Sequence, residues 1–227
     1  MKLAYLTTVD IGAASAQSLQ IQAMARAFGQ SLSNDFLLIS PRSASNRDLH
    51  LPTQWQKLKN IGWSRITRYL PFLIRSISVV QKFSPDYIFT RDIGVAWLYA
   101  RLGYSVTYEM HKPFETRIGE WVFRHVLPRI RLVVISQALA DFVASTYSCS
   151  IRDVFVAHDG VFLEDFVGIQ KDVYRRKLIE EAGIPENAFV VLYPGSIEYG
   201  RGLEQIEAAA KALKEKGIYF VIIGLRQ

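Results

Sequence analysis

The chain has 227 residues, with 27 Lys plus Arg against 21 Asp plus Glu, and half of its residues are apolar. That composition excludes a disordered or fibrous protein, and the length predicts one large domain, or one domain with part of another. The single cysteine, Cys149, excludes a disulfide framework and a thiolate zinc cluster, while the net charge of +6 points to an anionic partner: a phosphate-bearing ligand, a lipid surface or nucleic acid.

The N-terminal MKLAYLTTVD is too short an apolar run, and too soon interrupted by Asp10, to be a signal-peptide core. The chain is therefore expected in the cytoplasm. No run of about 18 apolar residues predicts a spanning helix.

Short β-branched or aromatic runs predict strands at Leu3–Thr8, Phe36–Ser40, Tyr87–Thr90, Ser105–Met110, Leu132–Ile135 and Val154–Ala157. Helical spacing predicts helices at Ser15–Phe28, Ile93–Leu102 and Gln137–Tyr147. Strands that alternate with helices, and that are apolar throughout rather than at every second position, predict a parallel sheet covered on both faces. Residues 1–163 are thus read as one doubly wound, Rossmann-like α/β domain. After Phe166 a charged helix runs to Gly183 and Pro185, and a new βαβ pattern opens: strand Phe189–Pro194, helix Gly202–Lys216 and strand Tyr219–Gly224. One such unit cannot cover both faces of a sheet, so 164–227 reads as the start of a second, truncated domain.

Several segments could carry chemistry. The first strand runs into TTVDIGAASAQS, where Gly12 precedes a helix; such a loop offers backbone N–H groups to a phosphate or sugar hydroxyl, or is a tight turn and nothing more. In VTYEMHKPFE, Glu109 and His111 are two residues apart at a strand's C-terminal end, where open α/β sheets bind ligands. The competing reading is a helix-capping His beside a Glu paired to an Arg. His158-Asp159-Gly160 reads first as a turn between the two units. YPGSIEYGRG is a glycine-rich loop between strand and helix, with Arg201 placed to meet a diphosphate. It is not a P-loop, because Arg201-Gly202 stands where Lys and Ser or Thr are required.

From Leu49 to Pro85 there is no acidic residue, while Lys57, Lys59, Arg65, Arg68, Arg75 and Lys82 are all present. Ile66, Leu70, Leu73, Ile77 and Val80 repeat at four and three, with Trp55 and Trp63 just ahead. Residues 54–82 therefore read either as a basic amphipathic helix for an anionic membrane or as a domain helix packed on the sheet, with Pro71 starting or kinking it.

In this order, VTYEMHKP, VVISQALADF, VFVAHDGVFLEDF, GIPENAFVVLYPGSI, GRGLEQIEAAAKAL and FVIIG resemble the retaining GT-B glycosyltransferases of glycosyltransferase family 4. The resemblance covers almost the whole chain. It implies an acceptor-binding domain and the opening of a nucleotide-sugar-binding domain, facing each other across a cleft. His111 would lie at the reaction centre as the catalytic residue. Gly12, Glu109, Gly195, Ser196 and Arg201 would contact substrate, with Arg201 on the donor diphosphate. No cofactor, no metal and no nucleic acid would take part; the partners would be a nucleotide-sugar and a sugar or lipid-linked acceptor. Ser196 departs from the family's second basic residue, and His158-Asp159-Gly160 stands where Asn-Gly is frequent. The chain also ends at Gln227, before the family's nucleotide-holding Glu-x7-Glu region, which implies an incomplete donor site. A rival expectation is a non-catalytic binding or membrane-docking module that partners a separate donor domain.

Overall fold

The computed structural model describes residues 1–13, 15–42, 54–59, 65–195, 197 and 200–224. Two compact units make up the chain, Met1–Phe162 and Leu163–Gln227.

In the first unit, β1 (Leu3–Leu6), β2 (Phe36–Pro41), β3 (Gln54–Leu58), β4 (Tyr87–Thr90), β5 (Ser105–Met110), β6 (Ile130–Val134) and β7 (Val154–Val156) form one sheet. Their spatial order is β3-β2-β1-β4-β5-β6-β7 and every pairing is parallel. The helices are α1 (Ala16–Leu32), α2 (Arg65–Phe83), α3 (Ile93–Arg101), α4 (Arg117–Val126) and α5 (Gln137–Tyr147). Short polar side chains start α1, α3, α4 and α5: Ser15, Asp92, Thr116 and Ser136 each sit in extended backbone and accept from an N–H of the first turn.

The apolar strands divide their side chains between two buried clusters because successive residues point to opposite faces. Leu3, Tyr5, Phe36, Leu38 and Phe89 pack with Ile21 and Ala25 of α1. Ala4, Leu6, Ile39, Ile88, Val106, Tyr108, Leu132 and Val134 pack with α2, α3, α4 and α5. One face thus carries α1 and the other carries the remaining four. On the α1 side, Thr107, Val133 and Phe155 of β5–β7 join neither cluster, and Phe155 is 67% exposed.

Two elements of this unit go beyond the sequence reading. The segment 54–58, read there as the head of a basic helix, is the strand β3: Trp55 leans on the α1-side cluster and its indole N–H donates to Ser40 Oγ at 2.8 Å. The second is α4, which buries Phe123 and Val126. Helix α2 continues through Pro71 rather than starting there. It packs on the sheet by Phe72, Leu73, Ser76 and Val80, leaving Leu70 and Ile74 exposed. Trp63 lies outside the described residues, as do the side chains of Arg65, Ile66 and Arg68.

The second unit contains α6 (Lys171–Ala182), β8 (Phe189–Pro194), α7 (Leu203–Leu213) and β9 (Ile218–Ile223). β8 and β9 pair in parallel from Phe189↔Ile218 to Pro194↔Ile223. Neither strand has a fully buried residue, whereas all of β1 and β2 is buried.

Candidate active site at the switch point of the sheet

The chain winds outward in one direction from β1 through α1 to β2 and in the other from β4 through α3 to β5. At the reversal between β1 and β4 the connections leave to opposite faces, opening a crevice at the strands' C-terminal ends where α/β sheets bind ligands. The polar residues of this end come from β1, β4, β5, α1 and the loop after β7.

Glu109, in β5, points to the α1 face and is only 3% exposed. A buried carboxylate needs a counter-charge, and Arg91, directly after β4, supplies one. Arg91 Nε donates to Glu109 Oε2 at 2.8 Å and Nη2 to Oε1 at 3.2 Å, a two-pronged contact whose Arg side chain is 6% exposed. Arg91 Nη1 donates to Gln20 Oε1 of α1 at 3.2 Å, and Gln20 Nε2 donates to Asp159 Oδ2 at 2.8 Å. On the other side, His111 Nε2 lies 3.2 Å from Glu109 Oε1. The ring is turned so that Nε2 makes no aligned hydrogen bond among the described residues, although the atom is buried. Burial alone would push the Glu109 carboxyl up; the contacts from His111 and Arg91 outweigh it and hold the group below its ordinary 4.5.

A second carboxylate organises the neighbouring turn. Asp92 Oδ1 caps α3 by accepting from Gly94 and Val95 N–H at 3.0 and 3.2 Å and also accepts from the Tyr69 hydroxyl. Its Oδ2 accepts from Thr8 at 2.6 Å, which ties the end of β1 to the start of α3. Burial and the adjacent Asp92 push the Tyr69 hydroxyl's pKa up, so Tyr69 stays a donor. A side chain at Gly94 would run into that hydroxyl.

The other residues expected at a site fall out differently. Gly12 is buried and its N–H donates to Asp10 Oδ1 at 2.9 Å, while Ser18 Oγ donates to the Asp10 carbonyl at 2.9 Å. The loop thus consumes that N–H in its own turn. His158 is fixed by Nδ1 against the Ile135 carbonyl at 2.9 Å. In the second unit, Gly195 N–H donates to the Ile223 carbonyl at 2.9 Å, and Ser196 lies outside the described residues. Arg201 is exposed between Gly200 and Gly202, both left-handed (φ 81° and 76°), just ahead of α7. Only glycine adopts that conformation without strain.

The ligand atoms of Glu109, His111 and Asp159 lie within 4.8 Å of one another, a spacing that a cation could bridge. Arg91 already holds both Glu109 oxygens and Gln20 holds Asp159 Oδ2, so this donor set does not fit a resident divalent ion. A separate groove of about 680 Å³ lies at the N-terminal ends of β6 and β7, lined by Arg124, Arg131, Tyr147 and Cys149. That is the end of the sheet away from these polar residues.

The structure brings Glu109 and His111 together and adds Gln20, Arg91 and Asp92, which the sequence reading missed. The signal was present in YIFTRDIG: a cation and an acid exactly one after the other, directly where an apolar strand stops, have few places to go except the strand-end crevice.

Among solved structures, a glycosyltransferase from Rickettsia africae superposes with a TM-score of 0.73 at 14% identity, covering 98% of this chain and 60% of its own. The fold is GT-B. HepE from Anabaena, solved in complex with UDP, matches with a TM-score of 0.64 at 13% identity over 98% of this chain and 69% of its own. UDP-GlcNAc 2-epimerase from Neisseria meningitidis, solved with UDP-GlcNAc, gives 0.61 at 10% identity over 98% and 65%. The chain therefore spans 60% of the length of the Rickettsia protein. No protein-family model matches the sequence, and no curated protein does. Within the GT-B fold, the Arg91–Glu109–His111 cluster occupies the sheet's C-terminal end.

Proposed function

We propose that the chain serves a glycosyltransferase that moves a sugar, a hexose in our reading, from a nucleotide-sugar to a sugar or lipid-linked acceptor with retention of configuration. The observation that carries this reading is the buried Arg91–Glu109 pair with His111 beside it, at the ligand-binding end of a sheet with the GT-B fold. In it, unit 1 receives the acceptor and His111 acts at the reaction centre. Unit 2 contributes to donor binding, and Arg201 meets the diphosphate. The residue stands beside the N-terminus of α7, where a guanidinium and helix N–H groups both favour phosphate oxygens. Gly12, Gly195 and Ser196 remain proposed substrate contacts, with the first two acting through backbone shape because their N–H groups are spent. Glu109 acts through His111 in this reading.

Activity of this kind fits a cytoplasmic protein held at the inner face of a membrane by the basic segment 54–82, of which α2 is the described helical part. Among the described residues no helix is long and apolar enough to cross a membrane. The epimerase match names a second chemistry for the same fold, conversion of the nucleotide-sugar itself.

Kinetics with nucleotide-sugars test the reading. Charge grows on the leaving diphosphate, so Arg201→Ala is expected to lower kcat by about 10²–10³ with a smaller rise in KM. His111→Ala is expected to lower kcat while leaving Tm nearly intact. A destabilised His111→Ala enzyme with normal turnover removes His111 from the chemistry, and an epimerised donor without transfer replaces the transferase reading by the second one.

A further inference from the structure

Hydrogen bonds join Asp159 to Gln20 at 2.8 Å, Gln20 to Arg91 at 3.2 Å and Arg91 to Glu109 at 2.8 and 3.2 Å, and Glu109 Oε1 lies 3.2 Å from His111 Nε2 without an aligned hydrogen bond; the series turns back on itself, since ligand atoms of Asp159, Glu109 and His111 lie within 4.8 Å of one another. Four separate segments supply these groups: the loop after β7, α1, the end of β4, and β5 with the residues that follow it. The middle of the series is buried and its ends are accessible, with His111 at 25% side-chain exposure.

We propose that Arg91 and Gln20 are positioning residues for His111, acting through Glu109, so that the identity of the protonated ring nitrogen of His111 is set through that carboxylate. This rests on the reading of His111 as the reactive group. The physical argument has three steps. A carboxylate this deeply buried stays ionised only while a fixed cation faces it, and Arg91 is that cation. Its fork matches both oxygens and so fixes the plane of the carboxylate as well as its charge. An ionised oxygen 3.2 Å from Nε2, although not aligned as a hydrogen-bond acceptor, places its negative charge beside that nitrogen and so favours the tautomer with the proton on Nε2. The consequence for chemistry is directional: Nδ1 is left as the acceptor and Nε2 as the donor. Gln20 enters one step earlier by holding Arg91 Nη1 in the plane of the pair and by tying α1 to Asp159.

Long-range 1H–15N spectra of the His111 ring in the 227-residue chain, recorded at alkaline pH, read the tautomer directly. The native chain is expected to show a dominant Nε2–H form. Glu109→Gln removes the charge with little change of shape and is expected to lower the Nε2–H to Nδ1–H ratio by about tenfold, the scale of one hydrogen-bond-like contact to a charged group. Arg91→Met is expected to move it the same way and Arg91→Lys to restore much of it. Gln20→Ala, paired with Asp159→Asn so that the carboxylate released beside His111 carries no charge, is expected to give a smaller change of the same sign and keeps the test open should Arg91→Met fail to fold. If Glu109→Gln and the paired variant melt cooperatively and leave the ratio unchanged, the series is only a structural ion pair and the inference is overturned. The spectrum needs no turnover, so missing transferase activity overturns the functional reading alone, and an unresponsive tautomer overturns this one alone.

Discussion

At the residue scale the dominant feature is the pair Arg91–Glu109, nearly removed from solvent on both sides. Such a pair adds little over apolar residues of the same volume, but leaving one partner alone in the interior costs about 3–5 kcal/mol. Arg91→Met is therefore expected to lower the unfolding free energy by about that amount, as measured by chemical denaturation. The pair also sets a pH dependence. The folded carboxyl is held below its unfolded value of about 4.5, so its stabilisation is fully present above that pH and is lost as pH falls through the folded value. The native chain is thus expected to lose stability on acidification below pH 4.5 more steeply than Glu109→Gln. Equal slopes for the two proteins would show that Glu109 is not the titrating group.

Among the elements, α2 has two apolar faces with different duties. Phe72, Leu73 and Val80 are buried on the sheet, and Leu70 and Ile74 look outward. The proposed membrane role would use this outward pair together with the basic residues of 54–82, each Lys or Arg near an anionic membrane contributing about 1 kcal/mol at low ionic strength. Binding to anionic vesicles is expected to exceed binding to neutral ones and to weaken with salt. Replacing Leu70 and Ile74 together by Ser is expected to reduce it further without a large drop in Tm. Equal binding to both vesicle types removes the membrane role. The sequence reading joined Leu70 with Leu73 and Val80 in one stripe; the helix separates them because the sheet contact is made by Phe72 and Leu73, side by side, rather than by one line of residues.

At the scale of unit 1, among the described residues α2 to α5 pack on one face of the sheet, and on the other face α1 packs on β1, β2 and β4. Phe155 of β7, on the α1 side, is exposed. A side chain that exposed contributes little to folding, so Phe155→Ser is expected to change stability by no more than about 0.5 kcal/mol while lowering binding of an apolar dye and self-association. A loss of several degrees in Tm would show that Phe155 packs more deeply in solution. The same scale explains why the sheet has a functional end at all: reversing the winding direction between β1 and β4 sends α1 and α3 to opposite faces and leaves the crevice in which Arg91 and Gln20 meet.

The sequence by itself determined the elements whose signal is local. Continuous apolar runs marked β2, β4, β5 and β7 to within a residue or two, and the alternation of these runs with helices determined a parallel α/β sheet. It could also place Glu109 and His111 together, because two residues apart on a strand means one face. Strand β3 was hidden, since QWQKL is mostly polar and becomes a strand only because an edge position beside β2 tolerates exposed Gln and Lys. Helix α4, by contrast, was legible, since Ile118, Trp121, Val122 and Val126 recur at helical spacing, but the sequence reading passed over it. An Arg partner for Glu109 was among the sequence readings, but which Arg it is, and that Gln20 and Asp159 extend the network, was decided by the tertiary structure. Gln20, Arg91 and Asp159 are 71 and 68 residues apart along the chain, and no periodicity links positions that meet only because parallel strands bring their C-terminal ends to one edge.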